Sequence, residues 1–487
     1  MEKSKKESVS INAMLNVLRT CLSIIFPLIT FPYISRVLMP DNIGKINFSN
    51  SINSYFMLLA GLGISVYAIR EGARIRNNKK EIDLFASQVF SINIVSTVMS
   101  YALLFIVLIC FPILNDYKLL IVIYSIQIMF TTISVDWIYS IFEDYLYITI
   151  RAFLVQVISL ILMFLFVKEP NDYIKYIFIS VFSSSAMNIF NFLHAKKYCK
   201  ITFTLNIDWK RHLLPMLLLF FNSIAILIYV ESDTTILGLL WGNYEVGLYS
   251  VSVKIYKIVK QVCNAIVIVS IPRIAYYLAQ KQMDKYYQLL NHILNGIIIG
   301  CFPMILILIF YAQEIINLIA GSNYLEAATS LRILSLATIL ALIASFMANS
   351  VLIPNRKEKV VLIATICSAF ANIALNLILI PIGKQNAAAL TTLIAEGITL
   401  LICMISLRKE LKRITISKTL INSLLSGLFM IISIVMTRYI NIYFEGLIKL
   451  FIDVSINLIV YGLSLLVLKD ETTLILISVI NRKVKNN

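Results

Sequence analysis

Residues 289–313 read LLNHILNGIIIGCFPMILILIFYAQ, twenty-five positions without a lysine, arginine, aspartate or glutamate. At about 1.5 Å rise per residue a helix of this length crosses the ~30 Å hydrocarbon core of a bilayer. Working outward in both directions, the same pattern recurs between short polar loops. The full set of predicted spans is 12–35, 46–69, 84–111, 117–138, 146–167, 174–193, 213–238, 247–272, 289–313, 329–350, 360–381, 387–407, 419–437 and 448–468. Composition agrees: 59% of the 487 residues are hydrophobic and 14% charged, where soluble domains carry about 25% charged residues. A soluble enzyme is excluded, and so is disorder. The long continuous runs also exclude a transmembrane β-barrel, whose strands alternate over short segments. The expected fold class is an all-α polytopic membrane protein of about fourteen transmembrane helices.

The basic residues orient these helices. With the N-terminal tail on the cytoplasmic side, 29 of the 42 lysines and arginines fall in cytoplasmic loops and tails and 8 on the outer side. The other five, Arg19, Lys254, Lys257, Lys260 and Arg332, lie at membrane depth or its margin. This asymmetry predicts an even number of spans with both termini cytoplasmic. It also accounts for the net charge of +16 without a nucleic-acid partner. The longest hydrophilic stretch, residues 194–211, is too short for a nucleotide-binding domain, and no phosphate-binding G-x-x-x-x-G-K-[ST] loop occurs. The seven cysteines form no C-x-x-C pair, and the three histidines (His194, His212, His292) are widely separated. Neither a metal site nor a cofactor is expected, and the short outer loops speak against a membrane enzyme such as a glycan polymerase or ligase.

Charges inside the apolar runs are the informative exceptions, because an ionisable group near a helix centre costs about 2.5–3.5 kcal/mol on insertion scales unless it faces water or a partner. In the eighth span Lys254, Lys257, Gln261 and Asn264 fall on one helical face, and Lys260 widens the arc to about 120°. Such a face lines a wet, cationic surface that selects an anion, and these five residues are the candidate substrate contacts. Arg19 in the first span, followed by Pro27 and Pro32, adds a planar fork suited to phosphate. Near the outer end of the seventh span Asp233 and Glu231 are the candidates for ion coupling, or for pairing with Lys254 across the hairpin. Glu396 and Asp453 read as helix–helix hydrogen-bond partners.

Two outer turns echo each other: Met39-Pro40-Asp41-Asn42-Ile43-Gly44 before the second span and Gly242-Asn243-Tyr244-Glu245-Val246-Gly247 before the eighth. Their final glycines are 203 residues apart, about the length of six spans with loops, which predicts tandem lobes: 1–200 an N-terminal six-helix lobe, 201–410 a C-terminal six-helix lobe, and 411–487 helices 13 and 14 with a cytoplasmic tail.

The run Phe31-Pro32-Tyr33-Ile34-Ser35-Arg36-Val37-Leu38, with Gly44-Lys45-Ile46-Asn47-Phe48 and Gly61-Leu62-Gly63 behind it, resembles the start of bacterial polysaccharide (O-antigen and capsule repeat-unit) flippases. Ser232-Asp233-Thr234-Thr235-Ile236-Leu237-Gly238 and Gly321-Ser322-Asn323-Tyr324 are similar to later segments of that family. The wider superfamily holds lipid-linked oligosaccharide flippases, peptidoglycan-precursor flippases and multidrug–cation antiporters. The resemblance implies two six-helix lobes around a central cavity with two extra C-terminal helices, alternately open to either side of the bacterial plasma (inner) membrane. The implied cargo is an undecaprenyl-diphosphate-linked oligosaccharide for cell-surface polysaccharide synthesis; no cofactor is expected, and Asp233 and Glu231 are the candidates for coupling to an H+ or Na+ gradient. Lys254 and Lys257, with Arg19, would contact the diphosphate. Membrane lipids, and a polysaccharide polymerase with chain-length proteins, are the implied partners. A lipid II-type or multidrug/cation cargo on the same scaffold is the alternative. The family commonly has glycine where this chain has Met39.

Overall fold

The computed structural model describes residues 2–411, 413, 417–440 and 446–475, with side chains from residue 26 onward except 145, 148, 409, 411, 417 and 440. Every regular element among them is helical. The chain divides into two compact units, Met1–Gly247 and Leu248–Asn487.

The first unit contains α1 (Glu2–Gly61), α2 (Ile64–Ile75), α3 (Lys79–Cys110), α4 (Lys118–Ser134), α5 (Asp136–Phe142), α6 (Tyr145–Phe166), α7 (Tyr173–Ser185), α8 (Asn188–Ala195), α9 (Trp209–Trp241) and the opening turn of α10 (Asn243–Ala279). Its centre is α1, against which α3, α4, α6 and α9 pack. The interfaces invert the pattern of a soluble protein. Large apolar residues such as Ile109 face outward, while Asn93, Ser96 and Ser100 on α3 are buried. Spaced at one helical face, these three stitch α3 to α1: Asn93 Nδ2 and Ser96 Oγ donate to the Ala60 carbonyl at 2.8 and 2.6 Å, and Ser100 Oγ to Phe56 at 2.6 Å. Lipid solvates apolar side chains as well as a protein interior does, so small and polar groups hold helices together here.

The second unit holds the rest of α10, then α11 (Met283–Phe310), α12 (Ala312–Ile319), α13 (Ala327–Phe346), α14 (Glu358–Ser406), α15 (Arg408–Leu411), α16 (Ser417–Ile440) and α17 (Gly446–Val467). Here α13 packs on α14 and α11, and α16 on α11 and α17.

Twelve helical segments among the described residues are long and apolar enough to cross a bilayer, and the protein is a multi-pass membrane protein. Two of them, Phe26–Ile75 and Glu358–Ser406, run for 50 and 49 residues and each contain two of the expected spans. The first breaks at Met39 (φ 65°, ψ 166°) and again at Leu62–Gly63, the second at Lys384 (φ 49°, ψ −134°), and the architecture is compatible with fourteen crossings. Several boundaries shift. The second span begins at Pro40 rather than 46 and stops at Gly61, because Leu62 and Gly63 take positive φ. The fourth ends at Ser134, where Val135 turns left-handed, and the sixth breaks between α7 and α8.

Helix starts after polar loops use side-chain caps. Asn78 Oδ1 accepts from the Glu81 amide, Asp144 Oδ1 from Tyr147 and Asp208 Oδ1 from Arg211, satisfying amides that have no intrahelical partner. In the first turn of α9, His212 is fully buried and has both nitrogens engaged. Gln88 Nε2 donates to the Asn206 carbonyl, so Gln88 Oε1 accepts from His212 Nε2 at 2.8 Å. His212 Nδ1 then accepts from the Tyr67 hydroxyl at 2.7 Å.

Candidate functional site

In the first unit, Asp233 lies buried on α9 and Glu231 is half-buried. A hydroxyl cluster that the sequence reading missed sits beside them. Thr235 Oγ1 is 3.0 Å from the Glu231 carbonyl, 3.2 Å from Ser51 Oγ and 3.1 Å from the Tyr55 hydroxyl. Both carboxylates lie within electrostatic reach of that phenol. Ser51 and Tyr55 are one turn apart on α1, which was the available signal, but neither is charged and so neither stood out in an apolar run. Arg19 stands on α1, and its side chain lies outside those described.

The backbone of this unit realises the echo between the two turns. Gly242 takes φ 81°, ψ −163°, close to the backbone of Met39. The two turns also meet. A methyl group on Gly44 would run into the Asn243 carbonyl, and one on Gly247 into the Pro40 carbonyl. Each glycine therefore admits the backbone of the opposite turn, and the crossing is reciprocal.

The helix α10 runs without interruption for 37 residues, and its part in the second unit carries all five expected cargo contacts. Their environments divide the 120° arc. Lys257 and Gln261, one turn apart, are exposed, and Lys254 is half-buried. At the other edge Asn264 Oδ1 accepts from Ser345 Oγ on α13 at 2.7 Å. Lys260 Nζ lies 2.5 Å from Glu396 Oε1 on α14, and it also donates to the Tyr256 hydroxyl at 3.1 Å. Tyr256 in turn donates to the same carboxylate oxygen at 2.9 Å. Glu396, expected to bond helix to helix, is thus joined to Lys260, one of the expected cargo contacts.

No cluster of three or more metal-ligating side chains occurs among the described residues. The first unit offers hydroxyls and two acids for a cation; the second offers amines for an anion and one internal ion pair.

The family described as polysaccharide biosynthesis protein matches residues 10–278. Over 321 residues the chain is 25% identical to an Escherichia coli (strain K12) protein named "Putative O-antigen transporter", covering 64% of this chain and 75% of that one. Among solved structures, lipid II flippase MurJ in an inward closed conformation aligns with a TM-score of 0.75 at 18% identity, over 96% of this chain and all of that one. An inward-facing multidrug resistance MATE family transporter aligns with a TM-score of 0.56 at 13% identity, over 81% of this chain and 98% of that one. At these identities the structural likeness speaks for the fold.

Proposed function

The chain belongs to the polysaccharide biosynthesis protein family, and from that premise we propose that it is a flippase carrying undecaprenyl-diphosphate-linked oligosaccharide repeat units from the inner to the outer leaflet by alternating access. The observation that carries this reading is the lysine series on α10, in a chain of that family. A sugar diphosphate cannot cross hydrocarbon without replacement of its hydration. Lys254 and Lys257 supply charge-assisted hydrogen bonds to the diphosphate, and Lys260, Gln261 and Asn264 extend the contact surface. Arg19 makes a second contact nearer the cytoplasm. The lipid tail stays in the bilayer while the head group crosses.

In this reading the protein sits in the bacterial plasma membrane with both termini cytoplasmic, in two six-helix lobes with two added helices. It catalyses no bond chemistry and uses no cofactor. Asp233 or Glu231 couples transport to an H+ or Na+ gradient, and the polymerase and chain-length proteins receive the product. The E. coli protein whose name reads O-antigen transporter supports this cargo. A lipid II-type cargo on the same scaffold is separated by complementation, since only the matching flippase-deficient strain would be rescued.

The direct test is translocation of a labelled polyprenyl-diphosphate oligosaccharide in proteoliposomes. Lys257→Ala, at an exposed position on a continuous helix, should insert normally and lower translocation at least tenfold. Wild-type rates in that variant at normal protein level would remove the lysine series from the mechanism.

A further inference from the structure

Lys260 is the eighteenth of the 37 residues of α10, and Glu396 stands twelve residues beyond the Lys384 corner of α14, near the middle of its own half-helix. Neither side chain can reach a polar headgroup by extending along the helix. The two ends of the pair are unequal: the Glu396 side chain is 6% exposed and that of Lys260 32%. The acid is hidden and the amine is the reachable end.

The surroundings offer Glu396 no other cation among the contacts seen. On α10 the nearest further charges are Lys257 and Lys254, about one and two turns toward the start of the helix from Lys260. The arginine of α13, Arg332, donates to the Ile309 carbonyl at 3.2 Å. On α14 the preceding charge is Lys384. A carboxylate stripped of its cation in a low-dielectric interior is neutralised by a proton, because an isolated buried charge is far more costly than a neutral acid.

Resting on the flippase reading above, we propose that Glu396 is a proton-binding site of the second unit, opened when an anionic phosphoryl group draws Lys260 away from it. The anion and one proton enter together. The amine passes from carboxylate to phosphoryl oxygen, Glu396 takes up a proton from water, and the Tyr256 hydroxyl stays hydrogen-bonded to the neutral acid. The proton on Glu396 thereby offsets the one negative charge of the phosphoryl group that engages Lys260. Asp233 and Glu231 stay in place in Glu396→Gln, so that variant separates any proton they take up from the proton on Glu396. By linkage, affinity for the anion rises as pH falls, by up to about tenfold per pH unit for one proton.

The experiment uses the purified full chain in detergent and, as probe, a short-chain polyprenyl diphosphate carrying one sugar. Both of its phosphoryl groups are substituted, so the ligand exchanges no proton near neutral pH. Proton uptake on binding is read with an indicator dye in weak buffer, and affinity is read from pH 5.5 to 8.5. The wild type should take up as much as one proton per ligand and bind more tightly at low pH. Glu396→Gln, which keeps the shape and the Tyr256 contact, should take up none and show a flat profile. Glu396→Asp should restore the slope. Lys260→Gln should also take up none, because its Glu396 is protonated before ligand arrives, and this variant serves if Glu396→Gln does not fold. Wild-type binding without proton uptake, or unchanged uptake in Glu396→Gln, overturns the inference and leaves the flippase reading standing. Absence of wild-type binding overturns both.

Discussion

Met39 and Gly242 hold nearly the same backbone at matching corners, so glycine and alanine should rank identically at the two positions. The angles are φ 65°, ψ 166° and φ 81°, ψ −163°, in a region that costs a residue with a side chain roughly 1–3 kcal/mol. A Cβ at Gly242 would meet no atom within 4 Å, so Gly242→Ala introduces backbone strain without a clash. Alanine recovers about 0.4–1 kcal/mol by restricting the unfolded chain, and the net loss is about 1–2 kcal/mol. At position 39 the comparison that isolates the backbone is between Met39→Gly and Met39→Ala, because both remove the thioether side chain. Glycine should exceed alanine there by the same 1–2 kcal/mol. Reversible unfolding in mixed micelles, followed by tryptophan fluorescence, measures this. All three tryptophans, Trp137, Trp209 and Trp241, lie in the first unit and report on it. A neutral Gly242→Ala, or Met39→Ala as stable as Met39→Gly, would refute the shared conformation.

Gly44→Ala and Gly247→Ala press a methyl group onto backbone carbonyls that cannot rotate away. Each should cost about 1–3 kcal/mol in the same assay, and the double variant should cost less than the sum because one separation of the turns relieves both. Cys199 tests the loop between α8 and α9: it is fully buried, and burial pushes its thiol up to about 12, with Asp83 raising it further and Lys79 opposing. Near pH 8 its thiolate fraction falls from about one in ten for an ordinary thiol to about one in ten thousand. Alkylation of a variant retaining only this cysteine should therefore be slower by a factor of several hundred or more than that of an exposed cysteine in the same loop. Comparable rates would mean that the loop does not bury it.

The membrane architecture was legible because the bilayer leaves few choices: an apolar run of helical length has to be a helix, and loop charge orients it. Corners were harder. The Met-Pro and Trp-Gly junctions were visible as turns, yet hydropathy carries no record of φ, and the second span was placed six residues late. Of the candidate site, α10 and its lysine face could be read from helical periodicity alone. The union of Lys260 with Glu396 could not, since 136 residues separate them and nothing local in either run names the other as partner. The hydroxyls of Ser51, Tyr55 and Thr235 escaped for a different reason, being uncharged residues that apolar spans tolerate singly.

Gly247 of the reciprocal glycine crossing and the lysine face stand on one continuous helix, α10. Gly247 lies seven residues before Lys254 on the unbroken α10, about 10 Å along the axis. If α10 shifts as a body, a displacement forced at Gly247 by the Pro40 carbonyl reaches the amines. Strain at Gly242 precedes the helix and pushes on nothing. The two alanine variants therefore separate two ways of being less stable. Gly242→Ala should bind the diphosphate probe as the wild type does once folded, whereas Gly247→Ala should bind it more weakly at equal folded fraction. Equal affinity in both would mean that the outer turn and the lysine face move independently, and that α10 bends between residues 247 and 254.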